Sequence, residues 1–279
     1  AAAGPVAQQH LDLVQRQIID WQSYSGRIEA VDLAGETLIT YPVPTQRIDL
    51  IRDITPEGLG ITTPQLCELL AAVPASTTLA EMESRAGVAG VTAEYAAMCT
   101  RDIGDKFPRI TPDFPVRLRR RFTFGLAEQD RVTAVVDFLA AGDVSTAFEL
   151  VRISHAGDYD TEVTEGELGT LAGLPDDDPR ARLAFVSGGY GRMTDDYDRV
   201  VTTLNRFLLT HGADAGAIQR LGAGWGGNVG GLISRRFLQG EERAALERVV
   251  SEELGLPPLD LERSVAIPGE GAALLPGPA

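Results

Sequence analysis

Apolar residues recur at helical spacing through several stretches of the chain and alternate at strand spacing through others. Leu11, Val14 and Ile18 give residues 9–20 one helical face. Arg27 to Leu33 alternates as a strand does, and Thr37 to Tyr41 follows as a second. Together they predict a hairpin about Ala34-Gly35-Glu36, closed off by Pro42 and Pro44. Thr55-Pro56-Glu57 reads as a helix start, with proline at an early helical position. Pro64 to Ala72 predicts a short helix carrying Cys67. Thr78 stands three residues before Glu81 in the capping-box pattern, ahead of Met82 and Arg85. Within 46–100 these helices are separated by turns.

The clearest helix is predicted over Ala127–Ala141, with Val132, Val135, Val136, Phe138 and Leu139 as its buried stripe and Gly142 as its stop. A second helix starts at Asp143-Val144-Ser145, places Phe148 and Val151 inside, and ends at Ser154-His155. Thr194 is a good N-cap, and two aspartates follow in the first turn. Tyr197, Val200 or Val201, Leu204, Phe207 and Leu208 then mark an apolar face running to His211. Gly240–Leu254 is amphipathic, with Leu246, Val249, Val250 and Leu254 inward, and Arg263–Ile267 reads as a final strand. Strand, loop, strand, helix, strand in that order predicts an α+β layer of helices on an antiparallel sheet. No internal repeat is visible.

Leu221–Gly231, LGAGWGGNVGG, has glycine at six of its eleven positions and lies between apolar runs. Such a loop loses much entropy on folding. It calls for a compensating reason, either close packing or an anion held by backbone N–H groups.

With 279 residues and 44% hydrophobic content, the chain can form one large domain or two smaller ones. The net charge of −15 argues against nucleic acid and anionic membrane surfaces as partners. No apolar run approaches the ~18 residues of a membrane span. The first ten residues lack the basic end and apolar centre of a signal peptide, so a cytoplasmic location is expected. Cys67 and Cys99 are too few and too far apart for a zinc site or a disulfide framework. Cys67 itself reads as a packed helix residue or a nucleophile. The densest basic run, Arg117-Leu118-Arg119-Arg120-Arg121, fits either a phosphate contact or a solvated patch opening a helix.

Gly222-Ala223-Gly224-Trp225-Gly226-Gly227 resembles the third motif of the GHMP small-molecule kinases, of the form GAGFGG in the galactokinase branch. Leu221 stands where that branch usually has Thr, and Asn228 where Cys is frequent. The helix, Ala-Gly-Asp turn and helix ending in Ser154-His155, followed by Asp158-Tyr159-Asp160, are similar to the carboxy-terminal half of galactokinases. A second acidic segment, Thr194-Asp195-Asp196-Tyr197-Asp198, fits the same element, and Leu174–Gly191 between the two copies looks like an insertion. His155 reads as a helix-end residue facing the dipole or as a catalytic one. The resemblance covers roughly residues 115 to 275, with a weaker likeness at Gln17-Ile18-Ile19-Asp20-Trp21 and Ala30-Val31-Asp32.

The resemblance implies ATP-dependent phosphoryl transfer to a sugar hydroxyl, with ATP and Mg²⁺ as cofactors and a nucleotide and a small sugar as partners. Asp20 would be the catalytic residue and Gly222–Asn228 the phosphate and substrate loop; no residue of the chain is assigned to metal. It implies a ferredoxin-like GHMP kinase C-terminal domain over 113–279, with an antiparallel sheet and helices on one face. Residues 1–112 would be a partial α/β remnant of the amino-terminal and central kinase region. The family's Pro-x-x-x-Gly-Leu-Ser-Ser-Ser phosphate segment and Gly-Glu-His-x-Asp-Tyr sugar motif are absent from this sequence. A carboxy-terminal portion is therefore expected, with another chain or segment supplying the amino-terminal half. The alternatives are a non-catalytic sugar- or partner-binding protein of kinase-derived fold and an unrelated α+β enzyme.

Overall fold

The computed structural model describes residues 27–31, 37–42, 53–86, 90, 92–93, 96–97, 111–157, 165–175, 177–190, 194–221, 228–259 and 265. The expected helix at 9–20 lies outside these residues. So does the expected strand at 263–267, apart from Val265, which has no regular structure. The architecture is mixed α+β, with helices and small antiparallel strand pairs.

β1 (Arg27–Val31) and β2 (Thr37–Pro42) form the expected hairpin, in register from Arg27↔Pro42 to Ala30↔Ile39, with an irregularity between Ala30 and Val31. α1 (Pro56–Leu59) starts where Thr55 accepts a hydrogen bond from the Gly58 N–H through its hydroxyl at 3.0 Å, with proline in the first turn. α2 (Thr63–Ala72) opens with a capping box. Gln65 donates its N–H to the Thr62 hydroxyl at 3.4 Å, and the Thr62 N–H is accepted by the Gln65 carbonyl at 2.9 Å. Pro74 follows the end of α2 and disfavours helical backbone at Val73. β3 (Thr77–Thr78) precedes α3 (Leu79–Ala86), whose start is the predicted Thr78–Glu81 box, with bonds of 2.9 and 3.1 Å. β3 pairs with β4 (Pro115–Val116).

α4 (Leu118–Ala140) is 23 residues long and begins well before the predicted start at Ala127. Of the predicted inward stripe, Phe138 is buried and Val135 packs half-buried against the same cluster, but the rest is not inside. Phe122, Leu126, Ala127, Ala134 and Phe138 point inward, whereas Val132, Val136 and Leu139 are 67%, 62% and 39% exposed. The partner of the buried face is what selects it. Residues 181–189, some fifty positions later, lie along that face and include a 3₁₀ turn at Leu183–Phe185. Arg131, only 2% exposed, donates through Nη1 to the carbonyls of Ala184 at 2.5 Å and Val186 at 3.1 Å, and through Nε to Glu128 at 2.7 Å. Asp130 accepts the Ala184 N–H at 3.0 Å and pairs with Arg182 at 2.7 Å. Arg182 also reaches Asp137 at 2.7 Å. Burial works against the Arg182 cation, but Asp130 and Asp137 outweigh it and raise its pKa.

Of the two readings of the basic run, the solvated patch does not describe Arg119 and Arg120. Arg117 is exposed, but Arg119 and Arg120 are 8% and 6% exposed. Arg119 donates to the carbonyls of Val73 and Ala71 at 2.8 Å each, so it caps the carboxy end of α2.

α5 (Val144–Gly157) follows the turn at Gly142 and is capped by Asp143, which accepts from Thr146 through both the backbone N–H and the hydroxyl. Those bonds, the side-chain one first, hold the exposed Asp143 carboxyl below its ordinary pKa. α6 (Glu165–Ala172) comes next. Leu183 and Val186 join a core of α1, α2, α4 and α6 side chains, while Ala184 joins Ala134, Phe138, Ala147 and Leu150 between α4 and α5. The 174–191 stretch, expected as an insertion, therefore contributes to the interior. Gly188 has φ +65°, and a Cβ there would lie 2.5 Å from the Phe124 Cα, so the chain passes α4 too closely for any side chain.

α7 (Asp195–Thr210) leads to β5 (Gly216–Leu221) and β6 (Asn228–Ile233). A 3₁₀ turn at Arg235–Leu238 precedes α8 (Gly240–Arg248), which runs on as a π-helical turn over Val249–Glu253. Leu246, Val249, Val250 and Leu254 are all buried, as their spacing predicts. Leu208, Ala215, Phe237, Leu246 and Val250 form the core between α7, the hairpin and α8.

Phe138 is 9% exposed and meets the Phe185 ring edge-on at 6.0 Å. Phe138→Ala is expected to cost about 3–5 kcal/mol in urea denaturation, while Val136→Ala should stay within about 0.5 kcal/mol. Equal effects would contradict the assignment of the buried face. Cys67 is 1% exposed, and burial, helped by Glu68, pushes its thiol up to about 11 from 9.0. At pH 8 roughly one part in a thousand is thiolate. In a Cys99→Ser background, labelling by a thiol reagent should follow global unfolding. Ionisation of Cys67 favours the unfolded chain, so stability should fall as pH rises from about 9 through about 11. Fast labelling of the native protein would contradict the burial.

Candidate functional site

The glycine-rich run lies at a β-hairpin. β5 and β6 pair antiparallel from Gly216↔Ile233 to Leu221↔Asn228, so residues 222–227 connect two strands in register. Gly222, Ala223, Gly224, Trp225, Gly226 and Gly227 themselves lie outside the described residues, as does Asp20. Asn228 is exposed at the start of β6, and its carbonyl accepts the Tyr197 hydroxyl from α7. Part of the glycine density has a packing origin. A Cβ on Gly231 would fall 1.9 Å from the Ala217 carbonyl oxygen across the pair. The expected second element after the loop is thus a strand, and its own glycine is required by close approach.

The other edge of β5 is covered by side chains. Asn205 on α7 donates through Nδ2 to the Ile218 carbonyl and accepts the Ile218 N–H, both at 2.8 Å. Arg152 on α5 donates to the Gly216 carbonyl at 2.9 Å. An antiparallel ladder turns alternate residues to opposite edges. Gly216 and Ile218 therefore face away from β6, and two helices satisfy them where another strand would otherwise pair.

Ser154-His155 and the second acidic segment, distant in sequence, meet here. His155 Nε2 lies 3.1 Å from Asp198 Oδ1, which also accepts the Thr202 hydroxyl at 3.2 Å. The His155 side chain is 8% exposed, and its Nδ1 is buried with no hydrogen-bond partner among the described residues. The histidine is in the last turn of α5, as its sequence position suggests, but its polar partner is an aspartate near the start of α7. Thr194 occupies the N-cap position of α7 with extended backbone, yet makes no side-chain capping bond. Residues 158–164, which hold the first acidic copy, lie outside the described residues.

Beside this pair, α5 and α7 enclose an open groove of about 480 Å³ lined by Arg152, His155, Thr202, Asn205, Arg206, Leu209 and Thr210. Burial holds the Arg152 guanidinium below its ordinary pKa, with Glu149 opposing. Of these residues only His155 stood out in the sequence. Arg152 and His155 are three apart on α5, and Thr202, Asn205, Arg206 and Leu209 follow at helical intervals on α7. That spacing is a signal, but polar residues at such intervals also describe any solvated helix flank. Among the described residues no group of three His, Cys, Asp or Glu side chains is placed to hold a metal ion, and no helix is long and apolar enough to cross a membrane.

No family model, no curated protein and no solved structure matches the chain.

Asn205→Leu removes both bonds to Ile218 and leaves a backbone donor and acceptor without partners. It should destabilise the chain by roughly 1–3 kcal/mol and speed amide exchange at Ile218. Unchanged exchange at Ile218 would show that the Asn205 bonds do not hold the strand edge.

Proposed function

We propose that the chain is the carboxy-terminal portion of a GHMP-type, galactokinase-like kinase that moves the γ-phosphoryl of ATP to a sugar hydroxyl. The observation that carries this reading is the position of the Gly-Ala-Gly-Trp-Gly-Gly hexamer between the paired ends Leu221 and Asn228 of a hairpin. A glycine-rich turn on a braced hairpin suits close approach to phosphate, because backbone N–H groups can face an anion where side chains are absent. The bracing supports the same reading: Asn205, Arg152 and Tyr197 fix the hairpin to α5 and α7. Precise placement is most of what a protein contributes to phosphoryl transfer.

In this reading Mg²⁺ enters with the nucleotide and neutralises charge on the transferred phosphoryl group. The hairpin loop lies against the phosphates and the sugar, and Asp20 orients the acceptor hydroxyl. A segment bearing the family's serine-rich phosphate loop completes the site. The finer fold expectation, a ferredoxin-like carboxy-terminal domain, belongs to the same proposal.

A second reading, binding of a sugar or partner chain without turnover, is favoured by Arg119. The densest basic run places that guanidinium on α2 carbonyls inside the fold.

The test is calorimetric titration of the chain with ATP·Mg²⁺ and a panel of hexoses, followed by turnover assays with the amino-terminal half of a galactokinase-like kinase supplied. Turnover is expected only in the completed system. There, Gly224→Val and Gly226→Val should lower kcat/KM by about a hundredfold or more with little change in the unfolding midpoint. Wild-type activity in both variants would reduce the loop to a structural turn. Sugar binding without turnover in the completed system would favour the second reading.

A further inference from the structure

We propose that the groove between α5 and α7 binds a phosphoryl oxyanion, the phosphate group of a small ester, between Arg152 and Arg206. This inference does not rest on the kinase reading, because it is argued from α5 and α7 side chains alone.

Counting the polar atoms of the lining identifies the missing partner. Asn205 has its amide oxygen and nitrogen committed to Ile218. The Thr202 hydroxyl donates to Asp198, and the Thr210 hydroxyl donates to the Phe207 carbonyl at 2.6 Å. Donor capacity therefore remains with the two guanidiniums. Each carries five N–H donors in a planar fork suited to phosphate oxygens. Arg152 uses one terminal nitrogen on the Gly216 carbonyl, and no carboxylate lies within ion-pair distance of it among the described residues. A part-buried cation without a counterion is costly, and an anion in the groove would offset that cost. Arg206 is 68% exposed and its contact with Glu253 is long, at 3.8 Å between exposed groups. Such a pair is weak and easily exchanged for a ligand.

The acidic groups nearby are accounted for. Among the described residues, Asp198 is engaged by His155 and Thr202, Glu149 acts on Arg152, and Glu253 meets Arg206. None of the three is among the groove-lining residues. In a chain of net charge −15, a concavity lined by two arginines and, among the described residues, no carboxylate is a local exception to the general repulsion of anions. Its volume of about 480 Å³ is in the range of small-molecule sites.

The experiment is calorimetric titration of the full chain with inorganic phosphate and with glycerol 3-phosphate, against sodium chloride at matched ionic strength. Saturable binding is expected with both phosphate probes and not with chloride. Arg206→Gln, at an exposed position, should weaken binding about tenfold without moving the unfolding midpoint. Arg152→Gln should weaken it at least as much. Because Arg152 also supports β5, Arg206→Gln carries the decision if the Arg152 variant fails to fold. The proposal is overturned if chloride reproduces the heats. It is equally overturned if Arg206→Gln binds as the wild type does.

Discussion

The seating of residues 181–189 along α4 is the contact on which the interior depends. Arg131 is almost fully buried, which is tolerable for a guanidinium only when its donors meet acceptors. It meets the carbonyls of Ala184 and Val186, and Asp130 takes the Ala184 N–H. These bonds satisfy backbone groups of a segment, part 3₁₀ turn, that pairs with no strand among the described residues. They also deliver Leu183 and Val186 to one apolar cluster and Ala184 to another. A single polar clasp thereby ties the α1–α2–α6 core to the α4–α5 core. Glu128 extends it, accepting from Arg131 and from Ser154 on α5.

The same economy recurs at the hairpin. A two-stranded ribbon is marginal in water unless something packs on it. β5 and β6 gain support from the apolar cluster with α7 and α8 and from Asn205 and Arg152 on the edge away from β6. The strand ends Leu221 and Asn228 that flank the glycine hexamer consequently belong to a ribbon fixed at both strands. The side chains that fix it come from the two helices that enclose the groove. Hairpin and groove are thus mechanically joined: Arg152 touches the β5 backbone with one nitrogen and lines the groove with the remainder of its fork. A bound anion would draw on the guanidinium that also holds the ribbon.

Much of the local structure was legible in the chain. The capping box at Thr78–Glu81, the β1–β2 hairpin and the inward residues of α8 all follow from side chains within a few positions of one another. Such features are decided by short-range hydrogen bonding and by helical or strand periodicity. The candidate site was legible only in part. His155 and the acidic segment at 194–198 were visible as separate features, but their pairing depends on how α5 and α7 pack. Arg152 and Arg206 carried no local signature, since an arginine on a polar helix flank is ordinary until a neighbouring helix makes that flank a wall.

The helix α4 shows where each source of information ends. Its helical character and its stop near Gly142 are written in local propensity and periodicity. Both the Phe122–Phe138 stripe and the Val132–Leu139 stripe satisfy a period of 3.6, so the pattern alone permits either face inside. The choice belongs to residues 181–189 and their polar clasp with Asp130 and Arg131, which hold the phenylalanine face inward and leave Val132 and Val136 in water. The basic run at 117–121 was decided in the same way. Its charge is a property of the sequence, but Arg119 became a cap because α2 ends beside it with unpaired carbonyls.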